Sequence, residues 1–266
     1  MWFSRPKPDK MGQKNLYIKE GAYDDPYAFR GALKPKISGG FFTGKTPLYA
    51  AKSPKITGGE FHSNLSFFSA ENSEISGGLH LGKMAYYGAQ NSRVQDGLFK
   101  GDWAFMESTG TIVAGGFFSG LGAFSEARGA MLKKGKFVGN EVGITSSNMV
   151  ISGGIYSGKR LLKTSDHAIV VGGEITSEGA FEEAEEIRVL HSGVIKHVHT
   201  PLSGIIAARR IEKVSFPDGK PKNLLIYAEE VGEGAEFVKL LEADTLTNQT
   251  FTADNAIAFL QSLLEN

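Results

Sequence analysis

The chain has 266 residues, of which 41% are hydrophobic and 22% charged, and this composition is typical of a globular domain. The formal net charge is zero, which argues against nucleic acid or an anionic membrane as a partner. The sequence has no cysteine, which excludes disulfides and thiolate metal sites. The first residues are basic without the apolar core of a signal peptide, and no stretch is apolar enough to span a bilayer. These features predict a cytoplasmic protein.

A 19-residue repeat follows from Ile18 onward. Its most regular form is ISGG, which begins at Ile37, Ile75 and Ile151, with ITGG at Ile56. Numbering each repeat from this Ile or Val, position 4 is glycine in nine consecutive repeats, positions 6 and 12 are mostly aromatic, and position 15 is always Ala or Ser. Such columns are typical of a solenoid in which equivalent side chains stack along the axis.

The repeats contain short strand-like runs broken by glycine, and none has the apolar face of a helix. We therefore predict an all-β fold, a single-stranded, right-handed parallel β-helix of about ten 19-residue coils over residues 18–207. Positions 1, 6 and 12 are expected to face inward. The glycine at position 4 is expected at a bend with positive φ. Residues 1–17, with Trp2 and Phe3, are expected to form an N-terminal cap.

The segment GGFFTGKT (39–46) matches the pattern of a phosphate-binding loop. Related segments recur in other repeats, for example GGLHLGKM (77–84). The match is therefore interpreted as a product of the repeat, with Lys45 on an outer bend and no nucleotide bound.

The repeat is lost after about Leu202, and residues 208–266 are predicted to form a mixed α/β C-terminal cap. Residues 210–227 resemble a hairpin closed by a Pro-Asp-Gly turn. Residues 235–243 and 252–266 are predicted helices, the second with Thr252 as its N-cap.

Position 13 suggests a binding surface. If position 12 points inward, position 13 points outward. An exposed apolar stripe is expected there, with Leu65, Met84 and Trp103 of position 10 nearby. Its members are Tyr49, Phe68, Tyr87 and Met106. The alternatives are that a terminal segment covers these side chains, or that the coil buries both columns.

Two other groups of residues offer chemistry. Asp102, Glu107 and Glu126 fall close together in neighbouring repeats and form an alternative catalytic cluster, although a solvated surface is the simpler interpretation. His191, His197 and His199 form an alternative metal site, again against the simpler interpretation as ordinary surface or capping histidines. His80 occupies an aromatic column and is expected to be a buried core residue.

Charge is uneven along the chain. Residues 1–55 contain 11 Lys and Arg against 4 Asp and Glu, and residues 209–266 contain 6 against 10. Ends of opposite charge favour head-to-tail contact, so the chain is a candidate for homo-oligomer formation through its ends or through the stripe.

The ISGG-type coils with stacked Phe and Ile resemble right-handed β-helix proteins of the pectate-lyase-like superfold over about residues 18–207. The segment GKTPLYAAKSPKI also resembles a coil of short, uncharacterised bacterial β-helix proteins. These resemblances imply the fold and no activity, since no position matches the catalytic or calcium-binding residues of the lyases.

The function expected from the sequence is that of a non-catalytic binding or scaffold protein without a cofactor. Its ligand would be a carbohydrate or a protein, bound at the stripe. The alternatives are a carbohydrate-active enzyme (a polysaccharide lyase or hydrolase) that uses the carboxylate cluster, and a self-assembling structural protein.

Overall fold

The computed structural model describes residues 12–219, 221, 223–242, 245–246 and 253–265. Contacts divide the chain into two compact units, 1–130 and 131–266. Both are all-parallel β-solenoids with a spacing of about 19 residues, and the chain makes about eleven turns. The architecture matches the predicted right-handed parallel β-helix with a small helical cap. Of the predicted N-terminal cap, residues 1–11, including Trp2 and Phe3, lie outside the described part.

In the first unit, most turns contribute two short strands to parallel ladders, and in two turns a single seven-residue strand spans both. The strands are β1 (Tyr17–Ile18), β2 (Ala22–Tyr23), β3 (Lys36–Ile37), β4 (Phe41–Phe42), β5 (Lys55–Ile56), β6 (Glu60–Phe61), β7 (Glu74–His80), β8 (Arg93–Phe99), β9 (Ile112–Val113) and β10 (Phe117–Phe118). Register partners are one repeat apart, as in the pairs Ile18 with Ile37 and Phe42 with Phe61. A third ladder of single bridges runs through position 16, for example from Leu33 to Lys52. These turns therefore have three extended segments each.

Aromatic rings at position 6 form a continuous stack inside the first unit. Phe42 and Phe61 lie face to face with centroids 4.6 Å apart, and Phe99 and Phe118 repeat this spacing. His80 takes the same place between Phe61 and Phe99. Stacked pairs contribute about 0.5–1.5 kcal/mol each beyond the burial of their area. The stack confirms that position 6 faces inward.

The glycine at position 4 has the positive φ predicted from the repeat, for example +101° at Gly116. A Cβ atom there would lie 3.2 Å from the carbonyl oxygen of Gly97 in the preceding turn. Two further corners of many turns also have positive φ, and there the residue is often not glycine, as at Asn91 and Glu107. At position 17 the recurring Asn was a signal for such a corner that went unused, whereas position 14 is occupied by several residue types.

The GGFFTGKT segment is one ordinary turn. Gly40 has a φ of +101°, Phe41–Phe42 forms β4, and residues 47–50 form a turn instead of a helix. Lys45 is exposed. A phosphate-binding loop leads into a helix whose N-terminus meets the phosphate, so this segment lacks the framework of a nucleotide site.

The second unit forms parallel ladders of the same kind, with longer strands toward its end. The strands are β11 (Met131–Leu132), β12 (Lys136–Phe137), β13 (Val150–Ile151), β14 (Ile155–Tyr156), β15 (Arg160–Leu161), β16 (Ile169–Val171), β17 (Glu174–Ile175), β18 (Gly179–Ala180), β19 (Ile187–Ile195), β20 (Val198–His199), β21 (Gly204–Ser215), β22 (Leu224–Glu233) and β23 (Lys239–Leu240). A helix, α1, spans Ala253–Glu265.

The predicted hairpin over residues 210–227 is wrong. β21 and β22 pair in parallel, with Gly204 opposite Leu224 and Ile206 opposite Ile226. A tight turn does form, with the amide of Gly219 donating to the carbonyl of Phe216 over 3.1 Å. The chain then runs back to the start of the ladder, so that Ile206 and Ile226 both face the core. The solenoid therefore extends past residue 207.

The predicted helix at 235–243 is also wrong over its described part. Residues Ala235–Phe237 form a single 3-10 turn, and Val238 is extended before β23. Gly234, with a φ of +84°, precedes the turn. The apolar spacing that suggested a helix therefore lies in a single 3-10 turn followed by a short strand.

The C-terminal helix is confirmed as α1, while its proposed N-cap Thr252 lies outside the described residues. Ala256 and Leu260 of α1 pack into a cluster with Val171, Leu190 and Tyr227. The cluster residues at β16, β19 and β22 alternate with inward-facing residues, so α1 covers the outer side of these strands. The helix thus lies along several turns of its unit instead of only capping the last one. No helix among the described residues is both long and apolar enough to cross a membrane.

Candidate functional site

The predicted stripe forms an outward ladder of rings in the first unit. Tyr49 and Phe68 stack with centroids 5.2 Å apart and an interplanar angle of 15°. Phe68 and Tyr87 stack at 5.3 Å and 3°. All three rings, and Met106 in the next turn, are half-buried, whereas the rings at position 12 are fully buried. The residues at position 13 therefore do point away from the core.

The faces of these rings are largely occupied by one another. The guanidinium carbon of Arg30 lies 4.9 Å from the centroid of Tyr49 and covers the first ring of the ladder. Because the rings stack face to face along the axis, they present mainly their edges to the outside. We refer to Tyr49, Phe68, Tyr87 and Met106 as the aromatic stripe.

Trp103 and Met106 are joined by a tight turn, in which the amide of Met106 donates a hydrogen bond to the carbonyl of Trp103 over 3.1 Å. Its indole lies over Gly122 in the next turn, since a Cβ on Gly122 would fall 2.3 Å from Trp103 Cδ1. Trp103 is half-buried, as are Leu65 and Met84 in the equivalent positions of earlier turns. These side chains extend the apolar surface expected beside the stripe.

The carboxylates predicted as an alternative catalytic cluster lie near the end of the stripe, and Glu107 and Asp102 have partners of their own. Glu107 accepts a hydrogen bond from the Tyr87 hydroxyl, and this bond raises the pKa of Tyr87, with smaller contributions from burial and from the charge of Glu126. Asp102 accepts from the amide of Leu121 over 3.0 Å and lies 3.8 Å from Lys83 Nζ. A catalytic role for these carboxylates stays a prediction.

The three histidines of the alternative metal site have different surroundings. His191 is buried, and burial lowers its pKa. His197 and His199 both contact the Ser215 hydroxyl, each at 2.8 Å, as expected for two side chains on one face of a strand. Among the residues that the structure describes, no three His, Cys, Asp or Glu side chains are grouped to hold a metal ion.

Two features of interest were not found from the sequence. Ser215 follows the end of the clear repeat, and only the parallel pairing of His199 with Ser215 brings it to the histidines. In the first unit, a cavity of about 530 Å³ is lined by residues that include Asn72, Asn91 and Arg93. The recurrence of Asn at position 17 was the available signal for this cavity.

Comparison of the chain with protein-family models, with curated proteins and with solved structures gives no match.

Proposed function

We propose that this chain is a non-catalytic binding or scaffold protein and that the aromatic stripe is its ligand surface. The observation that carries the proposal is the outward stack of Tyr49, Phe68 and Tyr87, half-buried in three successive turns. A solenoid holds such a row rigidly, so little conformational entropy is lost when a ligand binds. Apolar surface of this kind is typical of interaction sites.

A protein or peptide fits this surface better than a carbohydrate. Sugar rings pack against the open faces of aromatic side chains, and here the faces of Phe68 are stacked against Tyr49 and Tyr87. The ring edges form a ribbed apolar strip with one tyrosine hydroxyl bound to Glu107. Apolar and aromatic side chains of a partner could pack between such ribs, and interfaces are rich in these residues.

We also propose that the chain belongs to the pectate-lyase-like superfold and is related to short bacterial β-helix proteins. Both relationships are consistent with a solenoid that presents side-chain ladders on its outside. The cytoplasmic location stays a prediction.

The test is a selection of displayed peptides on the wild-type protein, followed by affinity measurements with a Phe68→Ser variant. We expect selected peptides to bind the variant at least about tenfold more weakly, because truncation of a central hot-spot residue costs about 2 kcal/mol or more and about 1.4 kcal/mol is a factor of ten. The matched control is Tyr17→Ser, a change at a tyrosine that is 61% exposed and lies outside the stripe. Equal binding to wild type and to the Phe68 variant would overturn the proposal, as would strong glycan binding on an array with no peptide binding.

The alternative function is a carbohydrate-active enzyme. The contact between Tyr87 and Glu107, with Glu126 close enough to affect the same hydroxyl, favours it because it places an acid and two potential bases together. Release of reducing or unsaturated sugar ends from a polysaccharide panel, lost in Glu107→Gln, would support the enzyme. No release by the wild-type protein would remove this alternative.

Self-association through ends of opposite charge is the remaining proposal. It rests on the excess of Lys and Arg in residues 1–55 and of Asp and Glu in residues 209–266. Exposed charges are screened by salt, so light scattering should show larger particles at low salt than at high salt. A constant mass at all salt and protein concentrations would exclude it.

A further inference from the structure

The hydroxyl of Ser215 lies between two imidazoles in the second unit. Its Oγ is 2.8 Å from His197 Nε2 and 2.8 Å from His199 Nδ1. On its other side, His197 Nδ1 contacts the backbone carbonyl oxygen of Glu178. His199 ends β20, Ser215 ends β21, and His197 immediately precedes β20; β20 pairs with β21 in parallel, with His199 opposite Ser215. The strands therefore fix this geometry.

The chemistry of the partners sets the direction of each hydrogen bond. A carbonyl oxygen only accepts, so His197 Nδ1 must carry the proton that is donated to Glu178. In the neutral ring, His197 Nε2 then accepts the proton of the Ser215 hydroxyl. Since that hydroxyl has a single hydrogen, the contact with His199 requires His199 Nδ1–H to donate to Ser215 Oγ.

This direction is the one needed to activate a serine. A base accepts the serine proton, and a third group orients the base. His197 and the Glu178 carbonyl occupy these two places, and the hydrogen bond from His199 Nδ1–H holds the Ser215 hydroxyl beside His197. We propose that Ser215 is a nucleophile, with His197 as its general base, in a serine acyl-transfer site that hydrolyses small uncharged esters.

The surroundings of His197 suit this role. A cavity of about 510 Å³ lies beside it and is lined by Lys196, Lys213, Glu178, Glu212 and Glu233. Lys213 and Glu233 form an ion pair at 2.8 Å. With two lysines against three glutamates, the cavity has no excess positive charge to select an anion, which is why the substrate is an uncharged ester.

The reaction runs in two steps. Ser215 Oγ attacks the carbonyl carbon of the ester while its proton passes to His197 Nε2. The ester C–O bond breaks, the alcohol leaves with that proton, and the acyl group stays on Ser215. Water then attacks the acyl carbon while His197 Nε2 accepts a proton from the water. The bond between the acyl carbon and Ser215 Oγ breaks, His197 gives the proton to Ser215 Oγ, and the products are the carboxylic acid and free Ser215.

The test uses the full chain and p-nitrophenyl acetate. We expect release of p-nitrophenol and an acetyl group on Ser215, located by mass spectrometry of the digested protein. The variants Ser215→Ala and His197→Phe should each lower the rate at least about a hundredfold, as expected for loss of a nucleophile or a general base. Ser157→Ala is the matched control, since Ser157 is equally half-buried and lies on a different turn of the same unit.

The pH dependence gives a readout that a purely structural contact would not move. Burial is the largest influence on the pKa of His197 and lowers it; His199 and Lys213 lower it further, while the Glu178 carbonyl and Glu233 raise it. Because the neutral ring is the base, the rate should rise with pH and reach half its maximum below the ordinary histidine pKa of about 6.5.

Acetylation only at other residues, or an unchanged rate in a folded Ser215→Ala variant, would overturn the proposal. If Ser215→Ala does not fold, as judged by circular dichroism, the position of the acetyl group on the wild-type protein decides the question. Binding by the aromatic stripe does not depend on this result.

Discussion

His80 places an imidazole in a stack where the neighbouring turns have phenyl rings. It is 1% exposed and lies 4.8 Å from the Phe61 ring and 4.6 Å from the Phe99 ring. Burial is the main cause that lowers its pKa to about 3, and the hydrogen bond to the Gly77 carbonyl acts in the opposite direction. The folded protein therefore holds this ring neutral at pH values where the unfolded chain protonates it.

The prediction is that His80→Phe reduces the acid sensitivity of the fold. The unfolded chain binds the proton below about pH 6.5 and the folded chain only near pH 3, so wild-type stability falls as the pH decreases through this window. The expected loss is roughly 1.4 kcal/mol per pH unit, and the phenylalanine variant should not show it. Urea unfolding at pH 7 and pH 4.5 measures the difference. Parallel losses in both proteins would show that His80 is not buried as a neutral ring.

Among the structural elements, the bend at position 4 is the most regular, and it is where glycine matters most. Gly116→Ala should destabilise the fold by about 1–3 kcal/mol, because its φ of +101° is unfavourable for alanine and its Cβ would crowd the Gly97 carbonyl. Gly129→Ala is the control, with a φ of +62° and no atom within 4 Å of the added Cβ. Chemical denaturation should rank Gly116→Ala as clearly worse. The reverse order would contradict a role for close approach between turns.

The elements also show what the sequence could and could not predict. The turns could be predicted because a solenoid repeats the same environment in every turn. Each column of equivalent residues, such as those that contain Ile37, Phe42 and Ala51, therefore shows the same residue types many times. The hairpin and the helix at 235–243 were wrong because the repeat weakens there, and local turn and helix signals then compete with long-range parallel pairing. Ser215 was missed for the same reason, since the contact depends on register and not on spacing in the chain.

In the molecule as a whole, the ladders repeat once per turn, so a deletion of one whole turn keeps the strands in register. Removing residues 56–74 joins Lys55 directly to Ile75. In the intact protein Ile75 pairs with Ile56, so Ile75 would take the place of Ile56 after Lys55. Phe42 would then stack on His80. We expect this deletion to fold, with a lower melting temperature because one turn of buried contacts is lost.

Removing only residues 65–74 leaves a turn that cannot close, and this deletion should be more harmful to folding although it is shorter. Circular dichroism and thermal unfolding compare the two, and a better-folded shorter deletion would contradict the ladder.

The position of Trp103 makes the molecule its own optical probe. The chain has two tryptophans, and Trp103 sits beside the stripe with its indole across Gly122. After Trp2→Phe, the emission of the remaining indole reports on a single place at the edge of that surface. A bound peptide would exclude water from it and shift the emission to shorter wavelength, so occupancy can be followed without a dye or a tag.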